Sequence, residues 1–215
     1  MTLTAELYFS FRSPYSYLAV GRYRAMTERY DLDIALRPVW PLAIREPDFF
    51  ERNHPNWLGY TMRDMLRVAQ FHDIPFGAPR PDPIIQDTAT RKIAAEQPYI
   101  RRVTRMGQAA ARRGSGLRFA HEAGQLIWGG QENWHEGDHL GGALARAGLD
   151  PAEIEREVAA QPDALDAEIA ANQDALEAAG HWGVPTLVFD GEPFFGQDRI
   201  EMVRWRMDQK GLTER

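Results

Sequence analysis

Apolar and polar positions along this chain follow two different periods, and the period changes twice between the two ends. An aromatic-rich run over 6–11 and an alternating run over 31–39 predict strands. Between them, apolar residues at helical spacing predict a helix from Pro14 to about Tyr30. A strand, a helix and a strand joined by a crossover of this length form a βαβ unit, whose two strands are parallel.

The middle of the chain, from about 41 to 180, is rich in alanine, arginine and glutamate and has helical periodicity. Helices are predicted at 60–73, 87–113, 115–128, 138–147 and 151–178. Asp138 and Asp150 are predicted helix caps, and Pro151 and Glu153 strengthen the second start signal. The proline-rich segment 77–83 predicts a loop.

Strand signals return after Gly183. Residues 186–189, a turn at 190–192 and residues 193–195 predict a hairpin, which is followed by a terminal helix. The order βαβ, helical block, ββα predicts an α/β protein. In it, residues 41–180 form an inserted α-helical domain between the two parts of a second domain, 1–40 and 181–215.

Composition narrows the possible functions. The chain has 215 residues, with 44% apolar and 26% charged residues, which is typical of globular proteins. Its net charge of −6 argues against a nucleic-acid partner, and the pairs Arg101-Arg102 and Arg112-Arg113 are predicted to be solvated helix faces. No basic, apolar leader and no run of about 18 apolar residues is found, so we expect a soluble cytoplasmic protein without a membrane partner.

The chain contains no cysteine. This excludes internal disulfides, thiolate zinc sites and a cysteine nucleophile.

Three motifs are candidates for chemistry, and the first is Ser13-Pro14-Tyr15-Ser16 at the predicted start of the first helix. Free N–H groups and the helix dipole favour negative charge there, and a thiolate would be stabilised. The spacing matches a Cys-x-x-Cys site with serine at both cysteine positions. The alternative is that Ser13 only caps its helix.

The second motif is Gly183-Val184-Pro185-Thr186, directly before a strand. A cis bond before Pro185 would expose the Val184 N–H and C=O, which could pair with an extended peptide. The alternative is a trans proline that opens an edge strand.

The third motif, Phe195-Gly196-Gln197-Asp198-Arg199, precedes the last helix. Its free N–H groups could bind a carboxylate, while Asp198 could accept from an ammonium group. The alternative is that Asp198 merely caps the helix.

A competing motif is His135-Glu136-Gly137-Asp138-His139, which matches the H-E-x-x-H pattern of metalloproteases. That site needs both histidines on one helical face, whereas glycine and aspartate between them favour a helix boundary. We therefore predict no metal site.

Together the three motifs resemble the DsbA-like thioredoxin superfamily, and more narrowly its branch of 2-hydroxychromene-2-carboxylate isomerases and kappa-class glutathione transferases. The resemblance lies in residues 9–19, 183–186 and 195–199. It implies a thioredoxin-like fold with a large α-helical insertion, glutathione as the cofactor, a small aromatic substrate and a homodimer.

The resemblance also implies roles for single residues. The Ser13 hydroxyl would bond the glutathione sulfur, and the Val184 backbone, just before cis Pro185, would pair with the cysteinyl unit. Gln197 and Asp198 would hold the γ-glutamyl head.

The family also has an asparagine in its insert. Asn53 is the nearest match and Asn56 the rival, but the usual sequence context is absent.

Other side chains near these motifs have two interpretations each. Trp128, Trp134, Trp182 and the pair Phe194-Phe195 are predicted to lie in the core, with a ligand stack as the alternative. Arg12 could receive a substrate carboxylate or be solvated.

The implied activity is glutathione-dependent isomerisation of an aromatic-catabolism intermediate through reversible thiolate addition. The alternatives are a kappa-like glutathione transferase that conjugates small electrophiles, and a cysteine-free DsbA-like module that binds peptides without catalysis.

Overall fold

The computed structural model of the protein describes residues 2–87, 90 and 92–215. The strands of this part of the chain form one sheet: β1 (Leu3–Phe9), β2 (Leu32–Pro38), β3 (Thr186–Phe189) and β4 (Glu192–Phe195), in the order β2-β1-β3-β4. β2 runs parallel to β1, while β3 is antiparallel to both β1 and β4. The predicted α/β class, the parallel βαβ unit and the terminal hairpin are confirmed.

Helices cover the sheet and fill the insert. They are α1 (Pro14–Arg29), α2 (Leu42–Arg45), α3 (Phe49–Arg52), α4 (Asn56–Phe71), α5 (Pro98–Arg112), α6 (Gly116–Trp128), α7 (His139–Arg146), α8 (Pro151–Ala160), α9 (Pro162–Ala178) and, after a 3-10 turn at Gln197–Arg199, α10 (Ile200–Asp208). None of the helices in the described ranges combines the length and the apolar character needed to cross a membrane.

Two predicted helices are shorter in the structure, and proline explains both differences. The helix predicted at 87–113 begins only at Pro98, and the described residues before it are irregular, with one isolated bridge between Gln86 and Ile93. The predicted positions 88, 89 and 91 lie outside the described residues. The helix predicted at 151–178 is interrupted at Gln161, because Pro162 has no N–H to continue the hydrogen-bond ladder.

The insert packs against the segment that leads into α1. The Phe11 ring lies 5.8 Å from that of Phe119 on α6, and the Trp128 indole donates to the Phe11 carbonyl at 3.1 Å. On α5, a Cβ at Gly107 would come within 2.5 Å of the Phe11 ring, so only glycine fits there. One buried apolar cluster therefore runs through the sheet and the insert, and the division into 1–40 with 181–215 and 41–180 stays a prediction.

The Arg112-Arg113 pair is not a freely solvated face. Both guanidinium groups pair with Glu157 on α8, whose side chain is only 11% exposed. Arg112 also pairs with Glu168 on α9, and Arg113 with Glu153 on α8. These contacts form a charged seam between α5 and the pair α8 and α9.

Candidate ligand-binding site at the start of α1

The three candidate motifs at 13–16, 183–186 and 195–199 lie at one edge of the sheet. The register pairs Phe9 with Pro38, Tyr8 with Thr186, and Thr186 with Phe195. β1 and β2 therefore end, β3 begins and β4 ends at the same edge, so the three segments that follow or precede these strands are neighbours.

Ser13 both caps α1 and faces the segment before β3. Its Oγ accepts the Ser16 N–H at 3.2 Å, so Ser13 is the cap of α1. The same hydroxyl donates to the Val184 carbonyl, but at 3.4 Å, which is long for an O–H donor. This hydrogen bond is therefore weak, and the hydroxyl can rotate to donate its proton to a stronger, anionic acceptor.

The Val184–Pro185 peptide bond is cis, which confirms the prediction for the second motif. The Pro185 carbonyl accepts the Gly196 N–H at 2.8 Å, and the Thr186 hydroxyl donates to the Gly183 carbonyl at 2.7 Å. These two bonds fix the loop between the start of α1 and the end of β4.

Arg22 orients the third motif. Its Nη1 donates to the Gln197 carbonyl at 2.9 Å and to the Gln197 side-chain oxygen at 3.2 Å. With that oxygen occupied, the amide nitrogen of Gln197 is the group left to face a ligand, and it can only donate. Arg22 is half-buried, and this burial lowers its pKa.

Asp198 does not cap the last helix, so that alternative is wrong. The residue before α10 is Arg199, and it makes no side-chain capping bond to the helix. The Asp198 carboxylate is exposed and pairs with Arg199 at 2.6 Å. It is available to an ammonium group at the surface.

Tyr15 adds a neutral hydroxyl to this edge. It donates to the Asp64 carboxylate of α4 at 2.7 Å. Burial, with this hydrogen bond and the charges of Asp64 and Asp198, raises the pKa of Tyr15. The phenol therefore stays protonated at neutral pH.

Arg12 is engaged within the protein. Its Nε and Nη2 donate to the two oxygens of Asp82 at 2.9 and 2.7 Å, in a two-point ion pair. Asp82 also accepts the Ile84 N–H at 2.9 Å. The pair joins the residue beside Ser13 to the loop at 77–83, so Arg12 is neither free in solvent nor an open carboxylate receptor.

The structure does not bring the predicted asparagine to Ser13. The Asn53 amide donates to the Phe49 carbonyl at the end of α3, at 2.6 Å, and Asn56 begins α4. Within the described residues, neither side chain has a recorded bond to Ser13 or Val184. A cofactor role for Asn53 stays a prediction.

The H-E-x-x-H segment lies at a helix boundary, as predicted. α7 begins at His139, and the His135 ring packs against Tyr99 with their centroids 4.3 Å apart. Across the described ranges, no three histidine, aspartate or glutamate side chains are grouped to hold a metal ion.

The aromatic residues divide into two sets. Trp128 and Trp134 are buried, which confirms the core interpretation for them. Trp182 and Phe195 are 49% and 46% exposed, so the same interpretation is wrong for these two. Both stack on His181, beside the Val184 loop.

Sequence reasoning missed Arg22 and Arg45 as contributors to this edge. Arg45, at the end of α2, donates to the carbonyls of Trp40 and Trp182 at 2.7 and 2.9 Å. No local pattern marks the contacts of Arg22 with Gln197 and of Arg45 with Trp182, because these partners lie 175 and 137 residues away along the chain.

Comparison with known proteins is consistent with this geometry. A family model described as the DSBA-like thioredoxin domain matches residues 4–208. No curated protein matches the sequence significantly.

Solved structures share the fold at low sequence identity. A 2-hydroxychromene-2-carboxylate isomerase superposes with a TM-score of 0.68 and 22% identity, over 96% of this chain and 95% of its own. A probable DsbA oxidoreductase from Streptomyces coelicolor has a TM-score of 0.68 and 16% identity, over 96% and 89%.

The cytosolic disulfide reductase DsbM from Pseudomonas aeruginosa has a TM-score of 0.64 and 22% identity, over 97% of both chains. A second structure of that reductase, determined with GSH, has a TM-score of 0.60 and 19% identity, over 97% and 98%. At these identities the likeness establishes the fold.

Proposed function

Because this chain belongs to the DSBA-like thioredoxin domain family yet has no cysteine, we propose that it binds glutathione and uses the visiting thiol to isomerise a small aromatic substrate of the 2-hydroxychromene-2-carboxylate type. The observation that carries the proposal is the Ser13 hydroxyl. It lies at the amino end of α1, where relatives with a redox site have a thiolate, and it is only weakly bonded to Val184.

A disulfide oxidoreductase is the main competing activity suggested by the structural neighbours. Thiol–disulfide exchange forms and breaks bonds between sulfur atoms, and this chain has no cysteine to supply one. An isomerisation changes no oxidation state, so it needs a thiolate only as a temporary nucleophile. The isomerase among the neighbours, and the reductase determined with GSH, support this proposal.

The residues at the sheet edge fit the chemistry of glutathione. Ser13 offers a hydroxyl to a sulfur anion, and the Val184 backbone offers its N–H and C=O to the cysteinyl unit. Gln197, oriented by Arg22, offers a donor to the α-carboxylate, and Asp198 offers an acceptor to the α-ammonium group. These groups complement the tripeptide from its head to its sulfur.

Bound glutathione supplies a thiolate that adds reversibly to the conjugated double bond, which permits rotation before the thiolate leaves. The protein's contribution is electrostatic and geometric. Ser13 and the dipole of α1 stabilise negative charge on sulfur, and thereby keep the thiol ionised at neutral pH. Tyr15, held protonated beside them, adds no competing negative charge.

Removing the Ser13 hydroxyl tests this role. We expect Ser13→Ala to raise the pKa of bound glutathione by about one to two units, since a hydrogen bond to a charged group contributes about 1.5–3 kcal/mol. The measurement is the ultraviolet thiolate absorbance of the complex against pH. Ser16→Ala is the matched control, because the Ser16 hydroxyl is buried without a partner among the described residues. An equal titration in wild type and Ser13→Ala would contradict the assignment.

Product analysis separates the proposed isomerase from its alternatives. With glutathione and an isomerisable aromatic enone acid, we expect a rearranged product and no loss of free glutathione. Consumption of glutathione with formation of a stable conjugate would instead indicate a transferase. Absence of glutathione binding in calorimetry, with retained affinity for extended peptides, would indicate a binding module and overturn the proposal.

A further inference from the structure

An ordered aromatic surface beside Ser13 and Val184 is left unused by the glutathione contacts. Trp182, His181 and Phe195 form a column of three rings, which we call the aromatic column. The His181 centroid lies 4.6 Å from Trp182 and 4.1 Å from Phe195, with interplanar angles of 15° and 21°. Both outer rings are about half exposed, so each end of the column presents a ring face or edge to solvent.

The aromatic column is fixed in place by the backbone under it. His181 Nδ1 accepts the Gly183 N–H at 2.9 Å, which requires a neutral imidazole and sets the ring's orientation. A Cβ at Gly183 would lie 2.7 Å from the Phe195 ring, so the column sits directly on this glycine. Gly183 precedes Val184, and the column is therefore continuous with the loop that faces Ser13.

Arg45 places a cation next to this column without a direct ion pair. Burial lowers its pKa, and the more distant carboxylates of Glu46 and Glu177 offset this only in part. Its recorded acceptors are the carbonyls of Trp40 and Trp182, and it has no carboxylate within 4.0 Å among the described residues. Its Nη2 is buried and makes no hydrogen bond. A buried guanidinium nitrogen without an acceptor is unfavourable. The nitrogen that an incoming carboxylate can meet is Nη1, which has a second hydrogen beyond its bond to the Trp182 carbonyl.

We propose that the aromatic column and Arg45 together bind the planar aromatic carboxylate part of the substrate. The ligand's ring stacks on the exposed face of Trp182. Its carboxylate pairs with Arg45, which already donates to the Trp182 carbonyl. The identity of the ligand as the substrate rests on the proposed function. The binding of aromatic carboxylates at this place does not.

The test uses the full chain without glutathione, with 2-naphthoate as the probe and 2-naphthylmethanol as its neutral analogue. Affinities are measured by NMR titration, and Trp182→Phe identifies the Trp182 indole signal while keeping an aromatic ring. We expect that signal to shift with 2-naphthoate, and Trp182→Ala to weaken both ligands at least about five-fold. Arg45→Gln should weaken 2-naphthoate about ten-fold and leave 2-naphthylmethanol unchanged.

Trp205→Ala is the matched control, because Trp205 is 50% exposed on α10 with Arg206 over its ring. Equal affinities of Trp182→Ala and Trp205→Ala, or an unmoved Trp182 signal, would overturn the site. An equal loss for both ligands in Arg45→Gln would overturn the carboxylate contact. A separate glutathione titration of the wild type decides the proposed function, so the two failures can be told apart.

Discussion

Ser13 shows how one atom changes what a thioredoxin-type helix end can do. An oxygen there cannot form a disulfide, but it can donate a hydrogen bond to a sulfur that arrives with a ligand. The Arg12 guanidinium beside Ser13 contributes little net charge to the site, because the Asp82 carboxylate pairs with it at 2.7 Å. Under the proposed function, the ionising influence on a ligand thiol would then come mainly from Ser13 and the end of α1.

Arg22 is expected to control recognition of the γ-glutamyl head through Gln197. In Arg22→Gln the Gln197 amide can turn, and we expect the Kd of glutathione to rise about five- to ten-fold. The same loss should appear with glutaryl-Cys-Gly, which keeps the α-carboxylate that Gln197 would contact. It should not appear with 4-aminobutanoyl-Cys-Gly, which lacks this carboxylate. Calorimetry measures all three.

The control is Arg24→Gln on the same helix, since Arg24 pairs with Glu28 at 3.6 Å rather than with the third motif. A uniform loss over the three tripeptides would show that Arg22 acts only by supporting the fold.

At the scale of elements, ion pairs add to the apolar packing between the helices of the insert. Isolated surface ion pairs contribute little, but Glu157 is nearly buried and is shared by two arginines. The seam thereby fixes the register of α5 against α8 and α9.

Replacing Glu157 should be more costly than replacing an ordinary surface partner. We expect Glu157→Gln to lower the free energy of unfolding by about 1–2 kcal/mol, because two guanidinium groups lose a charged acceptor. Glu155→Gln is the control: Glu155 is 40% exposed and, in the part of the chain that the structure describes, pairs with Arg102 alone, so the loss should stay below about 1 kcal/mol. Urea unfolding measures both, and similar losses would contradict the special role of Glu157.

For the molecule as a whole, what could be predicted from the sequence depended on the distance between partners along the chain. The cap at Ser13 and the hairpin at 186–195 are set by residues a few positions apart, so local patterns predicted them. The Arg22–Gln197 contact joins distant segments, and only the folded sheet edge brings it together. The break at Pro162 has a local signal, but helical periodicity on both sides of it predicts one continuous helix.

The pH dependence of stability is also a property of the whole chain. Burial lowers the pKa of His121, with Arg24 adding to the effect, and burial lowers that of His181. The unfolded chain then takes up these protons near its ordinary value of about 6.5 while the folded chain resists them. Their contribution to stability is therefore full above that pH and is lost as the pH falls below it.

We accordingly expect the free energy of unfolding to be lower near pH 5.5 than near pH 7.5, as measured by urea titration. His121→Gln should reduce this difference, since the glutamine cannot titrate. An identical pH difference in wild type and variant would show that His121 is not responsible.

The contacts between the insert and Phe11 restrict which helical blocks could replace this one. Gly107 leaves room for the Phe11 ring, while Trp128 holds the carbonyl of the same residue. A chimera that carries a relative's helical block in place of this one therefore needs a glycine at the position of Gly107 and an indole donor at the position of Trp128. A replacement block with a larger residue at 107 would displace the Phe11 ring, and with it the segment that leads into Ser13.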